Sequence, residues 1–336
     1  MRRWRIVRQS KSDGDYTMRS ERLSLKLFAG ALAVLMPLSG SSPRAGQGSE
    51  PQQGIRVQVN LVNLFATVRD KKTKQIISNL EQNDFKISED GAEQKISFFS
   101  RESTLPITLG LLIDTSGSET NTLGAEQEAA VRFLSRVMRK GDLAMVVSFD
   151  SNSDLLADLT DDQSRLNRAI NRARINAPTA QGPLAQSIPG TVFYDAVYAA
   201  CHDRLAEEAG RKALVILTDA QDEGSTLKLQ DAIEAAQRTD TVVHILLIAD
   251  TRFGGGNEGV AKKLTDETGG RTIVVRNEKK LEEAFDQISQ ELRSQYTLGY
   301  YSSNTARDGT YRKVKVDTTR KDLDVLARRG YYAPKN

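Results

Sequence analysis

From Pro106 onward, short apolar runs alternate with segments of helical spacing. Runs such as Ile107–Ile113 are typical of strands buried on both faces, and apolar positions repeated every three or four residues are typical of helices packed on a sheet. The predicted strands are Ile107–Ile113, Leu143–Phe149, a short edge strand at Leu155–Leu159, Ala213–Leu217, Val242–Ile248 and Thr272–Val275. The predicted helices are Glu119–Lys140, Asp161–Arg174, Thr191–Ala209, Leu227–Arg238, Gly259–Thr268 and Lys279–Leu292. This alternation predicts an α/β fold with a doubly wound, mostly parallel sheet.

The two flanking regions alternate apolar and polar residues at period two. In the first, Val57, Val59 and Leu61 share one parity, and the run Val62–Val68 continues on the other. A change of parity predicts a bulge, or a strand that passes between two faces. Asp90-Gly91 lies between two apolar pairs and predicts a hairpin with a loop of two or more residues. The apolar pairs are Phe85 with Ile87 and Ile96 with Phe98, and the last region adds strands at Gln295–Tyr301, Tyr311–Asp317 and Leu323–Arg328.

Neither flanking region is large enough to bury a comfortable core of its own. We therefore predict that they pack together as one β-sandwich-like accessory domain, with the α/β domain inserted between them. Two separate appendages are the alternative. The predicted boundaries are 1–45 for a targeting segment, 46–54 for a linker, 55–104 for the N-terminal β region, 105–293 for the α/β domain and 294–336 for the C-terminal strands.

The N-terminal segment predicts export. Arg19, Arg22 and Lys26 precede the apolar run Leu27–Leu38, and small residues follow at Ser39–Ser42. This order is typical of a secretory signal, and the run is too short to span a bilayer comfortably. A buried helix or a short membrane anchor is the alternative. The prediction places the mature protein outside the cytoplasm, periplasmic or secreted, with no stable membrane span.

Composition and charge exclude several classes. The chain has 336 residues, 39% hydrophobic and 27% charged, which is ordinary for a soluble globular protein. Residues 1–45 carry nine basic and three acidic side chains, or +6, which leaves −3 for the rest of a chain of net +3. A slightly acidic body gives no reason to expect a nucleic-acid partner. Cys201 is the only cysteine, so no intrachain disulfide can form.

Candidate chemistry gathers where the predicted parallel strands end. Asp114, Ser116 and Ser118 follow the first strand on one tight turn, Asp219 follows a later strand, and Thr191 opens a helix. Parallel-sheet geometry can bring these three loops together at one edge. All five side chains are oxygen donors, which suits a hard cation such as Mg²⁺ rather than zinc. The alternative is that Asp114 only caps the following turn through local hydrogen bonds.

The spacing Asp-x-Ser-x-Ser, a later Thr and an Asp after a later strand resemble the metal-ion-dependent adhesion site of von Willebrand factor type A domains. The surrounding segments Leu112–Ser118, Gly190–Val197 and Leu214–Asp219 match as well, and the resemblance covers roughly residues 106–292. Further segments resemble a bacterial VWFA-related family of exported proteins. These are Asn83–Phe85, Glu89–Gly91, Gln94–Ile96 and Gly330–Ala333.

The resemblance implies roles for the five residues. Ser116 and Ser118 would bind the metal directly, Thr191 would bind it directly or through water, and Asp114 and Asp219 would act mainly through bound water. The metal would be Mg²⁺, with Mn²⁺ and Ca²⁺ as alternatives. One coordination position would stay open for an acidic residue of a protein partner.

Two neighbours of Asp219 are notable. Ala220 stands where many relatives have Gly, which can alter the loop without removing a donor. Asp222 adds a carboxylate that we interpret as supporting the site or facing solvent.

Other motifs carry less weight. The segment Gly254–Gly259 fits GxGxxG but comes late in the domain, so we interpret it as a loop rather than a dinucleotide site. Cys201 lies in an apolar helical stretch and predicts a core residue, and His202 and His244 predict structural or surface groups.

The sequence thus predicts a non-enzymatic, exported, metal-dependent protein-binding module. A structural scaffold with a purely stabilising metal is one alternative. A metal-assisted hydrolase is another, and it lacks a positioned base.

Overall fold

The computed structural model describes residues 5–6, 61–101, 105–175, 190–248 and 255–335. Within these ranges the strands are β1 (Arg5–Ile6), β2 (Leu61–Asp70), β3 (Phe85–Glu89), β4 (Ala92–Gln94), β5 (Ile96–Ser100), β6 (Ile107–Asp114), β7 (Leu143–Phe149), β8 (Ser153–Thr160), β9 (Arg211–Thr218), β10 (Thr241–Ile248), β11 (Thr272–Val275), β12 (Tyr296–Tyr301), β13 (Tyr311–Thr318), β14 (Leu323–Leu326) and β15 (Gly330–Tyr332). The α-helices are α1 (Leu123–Val137), α2 (Gln163–Ile170), α3 (Phe193–Ala199), α4 (Leu229–Arg238), α5 (Glu258–Thr268) and α6 (Glu278–Arg293).

The central sheet has the strand order β1-β8-β7-β6-β9-β10-β11. Its neighbours are parallel except for β7 and β8. Helices cover both faces, and each face has its own hydrophobic core. Every residue of β6 is buried, as expected of a strand with helices above and below. The predicted α/β class is confirmed.

The strand after β7 is longer than predicted and pairs on both sides. The predicted edge strand Leu155–Leu159 is longer, and β1 pairs with its outer side. Only three residues separate β7 from β8, too few for a parallel crossover, so the pair is antiparallel. Apart from Arg5–Ile6 in β1, the predicted targeting segment (1–45) and linker (46–54) lie outside the described residues.

Two four-stranded antiparallel sheets form the accessory part, with orders β14-β2-β12-β5 and β15-β13-β3-β4. Each sheet combines strands from before and after the α/β domain, and β12 lies between β2 and β5. The apolar faces of both sheets share one core, which includes Leu64, Ile87, Leu298 and Val316. The predicted sandwich of N- and C-terminal strands is therefore part of the fold. The domain boundaries at 104 and 293 stay a prediction.

A buried carboxylate lies inside this sandwich. Glu89 is 2% exposed and accepts hydrogen bonds from Tyr300 Oη (2.7 Å), Ser302 Oγ (2.6 Å) and Tyr331 Oη (3.1 Å). Glu89 belongs to one sheet and Tyr300 to the other, so the network joins the two layers. It also connects the segments 89–91 and 330–333, both of which carry the narrower sequence resemblance.

The hairpin prediction needs one correction. Asp90 and Gly91 form a two-residue turn with φ of 48° and 88°, as type I′ turns require, and β3 pairs with β4. Ile96 and Phe98 lie in β5, which has crossed to the other sheet beside β12. The sequence pattern could not separate β4 from β5 because both strands are short and adjacent.

Four helices begin later than predicted, α1 by four residues and α2, α3 and α4 by two each. Helix α1 begins at Leu123 rather than Glu119, because Gly117–Asn121 form a 3₁₀ turn. Helix α3 spans Phe193–Ala199 and is followed by a single π-helical turn. Among the described residues, none of the helices combines the length and apolar character needed to cross a membrane.

Candidate metal centre

Asp114 ends the central strand of the sheet. Because β6 and β9 are parallel and in register, Asp114 lies beside Thr218, the last residue of β9. Thr218 Oγ1 donates to Asp114 Oδ2 at 2.6 Å, and the Ser116 backbone N–H donates to Asp114 Oδ1 at 2.9 Å. The Asp114 side chain is fully buried. Packing of the sheet edge therefore fixes its position.

The two serines of the motif lie on the next turn. Ser116 and Ser118 are half-buried, and their Oγ atoms are 3.0 Å apart. This separation suits two hydroxyls that bind the same cation. Thr115, between Asp114 and Ser116, anchors the turn through its N–H, which donates to Phe149 O at 2.8 Å. The predicted spacing thus places both hydroxyls on the outer side of the buried carboxylate.

Thr191 is held between the loops that follow two strands. The Val192 N–H donates to Asp150 O at 2.7 Å, just past β7. The Glu223 N–H donates to Thr191 O at 3.1 Å, just past β9. These bonds hold the buried Thr191 at the edge of the sheet where Asp114 lies.

Asp219 lies directly after β9 and is buried. Its Oδ1 accepts from the Gln221 backbone N–H at 3.0 Å. The Asn257 N–H donates to the Asp219 backbone oxygen at 2.7 Å, and a Cβ on Gly256 would lie 2.8 Å from the same oxygen. Close packing against Asp219 therefore explains why position 256 of the GxGxxG-like segment is a glycine.

The residues around Asp219 have defined structural positions. Ala220 has φ 57°, in the left-handed region that favours glycine, so this alanine adopts a strained backbone conformation beside Asp219. Asp222 Oδ1 accepts from the Tyr194 N–H at 3.0 Å, at the start of α3. That contact anchors the helix that follows Thr191.

Two further acids lie at this edge, and the sequence analysis missed them. Glu119 and Glu126 are each 1% exposed. Asp114, Glu119 and Asp219 each offer one carboxylate oxygen, and these oxygens lie within 4.8 Å of one another. Thr122 Oγ1 donates to Glu119 Oε2 at 2.9 Å.

Glu126 could have been found from the sequence. Its helical spacing places it on the face of α1 that carries Ala129, Ala130 and Phe133, and an acid on an apolar face is unusual. Glu119 gave no such signal, since its burial depends on the 3₁₀ turn after Ser118.

The electrostatics of the site are those of acids without a basic partner. Burial raises the pKa of Asp114 to about 7, although hydrogen bonds from Ser116 and Thr218 oppose the shift. Burial also raises the pKa of Glu119, and the neighbouring Glu126 raises it further. Burial raises the pKa of Glu126 as well. Among the described residues, no lysine, arginine or histidine forms an ion pair with Asp114, Glu119, Glu126 or Asp219.

These residues fit a divalent cation. The donors are carboxylate and hydroxyl oxygens, which Mg²⁺ and Ca²⁺ prefer. Metal–oxygen distances of about 2.0–2.6 Å allow ligand oxygens to lie about 4–5 Å apart, which the three carboxylates satisfy.

The other reactive residues lie in different settings. Cys201 is buried, and burial raises its pKa to about 12, which keeps the thiol protonated. His202 is exposed and stacks on Tyr198. His244 is buried in β10, 3.9 Å from Glu291. The interpretation of Cys201 as a core residue is confirmed.

Comparison with known proteins agrees with the fold. Residues 109–221 match the family model of the von Willebrand factor type A domain. Among curated proteins, no match is found.

Several solved structures are similar. A von Willebrand factor type A protein from Catenulispora acidiphila has 15% identity and a TM-score of 0.47, over 77% of this chain and 75% of that one. Proximal thread matrix protein 1 from the mussel byssus, with a zinc-occupied MIDAS motif, has 13% identity and a TM-score of 0.48, over 61% and 49%. The vWF domain of the type V pili tip protein Mfa5 from Porphyromonas gingivalis has 14% identity and a TM-score of 0.42, over 56% and 96%.

The family match covers the strands that end at Asp114 and Thr218, and the sheet order places β6 at the centre with helices on both faces. This part of the chain is therefore similar to von Willebrand factor type A domains, whose family model it matches over residues 109–221.

Proposed function

We propose that the protein is a non-enzymatic, metal-dependent protein-binding module that works outside the cytoplasm. One observation supports it above the others: the turns that carry the five predicted residues lie at one edge of the sheet, where Asp114 and Asp219 offer carboxylate oxygens within 4.8 Å of each other. Asp114 and Asp219 lie inside, and the half-buried Ser116 and Ser118 lie on the outer side. A cation held there has a face directed at solvent, where an acidic side chain of a partner protein can complete its coordination. The attraction is strong because the cleft is partly dry.

The ligand roles follow the position of each residue. Ser116, Ser118 and Thr191 offer hydroxyl oxygens to Mg²⁺, with Mn²⁺ or Ca²⁺ as alternatives. The Asp114 carboxylate already accepts two hydrogen bonds, and this suits contact with the cation through bound water.

Export is proposed from the N-terminal sequence, in which Arg19, Arg22 and Lys26 precede an apolar run and small residues. The closer resemblance to exported VWFA-related proteins supports the same location. Two of its segments meet in the structure through Glu89 and Tyr331.

A scaffold function with a purely stabilising metal is the second candidate. The observation that favours it is the burial of Asp114, Glu119 and Glu126, which a cation would stabilise without any partner. A hydrolase has less support, since His202 stacks on Tyr198 and His244 lies beside Glu291, so neither is placed as a base for the cluster.

The metal is tested by thermal unfolding with Mg²⁺ or EDTA. We expect wild type to gain about 2.7 kcal/mol at a Mg²⁺ concentration 100-fold above Kd, visible as a rise of several degrees in Tm. Asp114→Ala should show no such rise, and Asp161→Ala, at an exposed acid, should respond like wild type. Equal responses of wild type and Asp114→Ala would contradict the metal site.

Partner binding is tested by capture from the envelope fraction of the source cells. We expect proteins retained by wild type with Mg²⁺ to be released by EDTA and to be missing with Ser116→Ala. Ser135→Ala, on the exposed side of α1, is the matched control. Capture that survives both EDTA and Ser116→Ala would favour the scaffold function.

A further inference from the structure

A cleft of about 680 Å³ lies between β13 and β14 of the accessory sandwich, and we call it the sandwich cleft. Arg328, which borders it, forms an ion pair with Asp240, the residue before β10. Because β10, β9 and β6 are parallel, the start of β10 lies at the opposite edge of the central sheet from Asp114. The sandwich cleft is therefore separate from the candidate metal centre.

Strand β13 presents a free edge to this cleft. Its pairing with β15 covers only residues 311–313, whereas its pairing with β3 continues to Thr318. The Val314 N–H donates to Arg329 O at 2.7 Å, on the β15 side. In an antiparallel strand, main-chain groups two residues apart point in the same direction. Val316 therefore directs its N–H and C=O toward the cleft, beyond the end of β15.

Strand β14 forms the opposite wall and is the last strand of its sheet. The Lys71 N–H donates to Asp322 O at 2.9 Å, so by the same alternation Asp324 directs its main-chain groups at β2 and Val325 directs them away from it. The buried Leu323 and the half-buried Val325 also border the cleft. An extended peptide between the two walls could bond to main-chain groups and bury every second side chain.

The rim of the sandwich cleft is basic. Seven basic and two acidic side chains border it, although the chain beyond residue 45 has a net charge of −3. The three arginines of the rim pair with acids, but among the described residues no acid forms an ion pair with the exposed Lys86 or Lys321. Lys71 Nζ donates to the backbone oxygen of Lys321 at 2.7 Å rather than to a carboxylate. These lysines favour a negatively charged ligand.

We propose that the sandwich cleft binds an extended acidic segment of a protein partner, added as a strand beside β13. Its acidic side chains face Lys71, Lys86 and Lys321, and its apolar side chains pack near Leu323. A lipid headgroup also offers negative charge, but it has no row of N–H and C=O groups to match the edge at Val316. The proposal goes beyond the proposed function, because this contact needs no cation.

The test uses the full-length protein and a fluorescent peptide of about seven residues in which glutamate and valine alternate, a length typical of one strand. Fluorescence anisotropy should show binding that weakens as NaCl increases, because salt screens exposed charges. Lys86→Gln/Lys321→Gln should weaken binding about 5-fold, since each exposed ion pair contributes modestly. The matched control is Lys95→Gln/Lys140→Gln, which removes the same charge from exposed lysines outside the cleft and should bind like wild type.

Amide hydrogen exchange tests the strand pairing without any variant, so misfolding cannot imitate the result. Exchange at Val316, followed by NMR, should slow when the glutamate–valine peptide is bound, because this N–H gains an acceptor. Exchange at Phe98, in the edge strand β5 of the same sandwich, should not change. Unchanged exchange at Val316 in the bound state would contradict pairing along β13.

The remaining outcomes separate this inference from the proposed function. Absence of peptide binding by wild type, or equal affinity in the two double variants, overturns the inference and leaves the metal site untouched. Loss of peptide binding in EDTA or in Asp114→Ala also overturns it, because the peptide would then occupy the metal edge. Binding of phosphatidylglycerol vesicles without binding of the peptide would assign the cleft to lipid instead. Peptide binding that persists in EDTA supports the inference even if Mg²⁺ has no effect on the protein.

Discussion

The sandwich and the sheet edge of the α/β domain each bury acidic side chains, but in opposite ways. Glu89 in the sandwich accepts hydrogen bonds from three hydroxyl groups. At the sheet edge, Glu119 accepts one hydrogen bond from the Thr122 hydroxyl, and Thr122 and Glu119 are the polar neighbours of Glu126. Both regions pack tightly, so burial alone does not explain the difference. The distinguishing feature is the supply of donors from neighbouring strands.

The comparison separates structural acids from functional ones. A carboxylate with three donors costs little to keep buried and can stabilise a fold by itself. A buried carboxyl group with few donors is neutralised by a proton, as the raised pKa values of Asp114, Glu119 and Glu126 indicate, or by a bound cation. The sandwich acid therefore joins two sheets, whereas the acids of the α/β domain lie at the edge where we propose a metal site.

The largest expected effect comes from deleting residues 295–336. This deletion removes Tyr300, Ser302 and Tyr331, and also β12 and β13, which lie in the interior of the two sheets. The remaining strands would have unpaired edges, and they would lose the apolar side chains that the C-terminal strands contribute to the shared core. We expect rapid proteolysis within 61–100 while the α/β strands stay protected, as shown by limited digestion and mass spectrometry. Continued protection of 61–100 would mean that the two β regions are separate appendages.

A smaller effect is expected from Glu89→Ala. It leaves three hydroxyls without their acceptor inside the sandwich, and we expect a loss of about 3 kcal/mol in the free energy of unfolding. Denaturant titration measures it, with Glu93→Ala at an exposed site of the same hairpin as control. The loss should be the same in Mg²⁺ and in EDTA. A loss that depends on Mg²⁺ would show that Glu89 is coupled to the metal site, and would contradict the distinction between the two regions.

The smallest effect concerns a third way to bury an ionisable group, which is to keep it neutral. Burial, and secondarily the charge of Arg271, lowers the pKa of His244 to about 3, against about 6.5 in an unfolded chain. Between these values the unfolded chain binds the extra proton, so stability is lost as the pH falls from about 6.5 toward 3. The slope from one such group is at most about 1.4 kcal/mol per pH unit.

His244→Gln should remove this part of the acid sensitivity, while the exposed His202→Gln should keep it. The measurement is the difference in unfolding free energy between each variant and wild type at pH 7 and pH 5. An unchanged difference for His244→Gln would show that His244 becomes charged within the fold, next to Glu291.

Much of the candidate site follows from local sequence. Asp114, Ser116 and Ser118 lie on one turn after an apolar strand, so their proximity depends on only five residues of chain. Asp219 and Thr191 required a further assumption, that parallel strands end at one edge, and the hydrogen bonds past β7 and β9 agree with it. Their roles as ligands remain a proposal. Glu119 could not be predicted, because its direction is set by a 3₁₀ turn where the pattern indicated an α-helix.

The sequence by itself determined the alternation of strands and helices and the period-two strands of the accessory part, because periodicity sets which face of each element is apolar. The tertiary structure decided which strands meet: β5 beside β12 rather than β4, and β8 antiparallel to β7. It also decided that Glu89 has three hydroxyl donors and that Glu119 has one. Pairing and donor supply depend on residues that are 100 or more positions apart in some cases, and short-range periodicity contains no information about them.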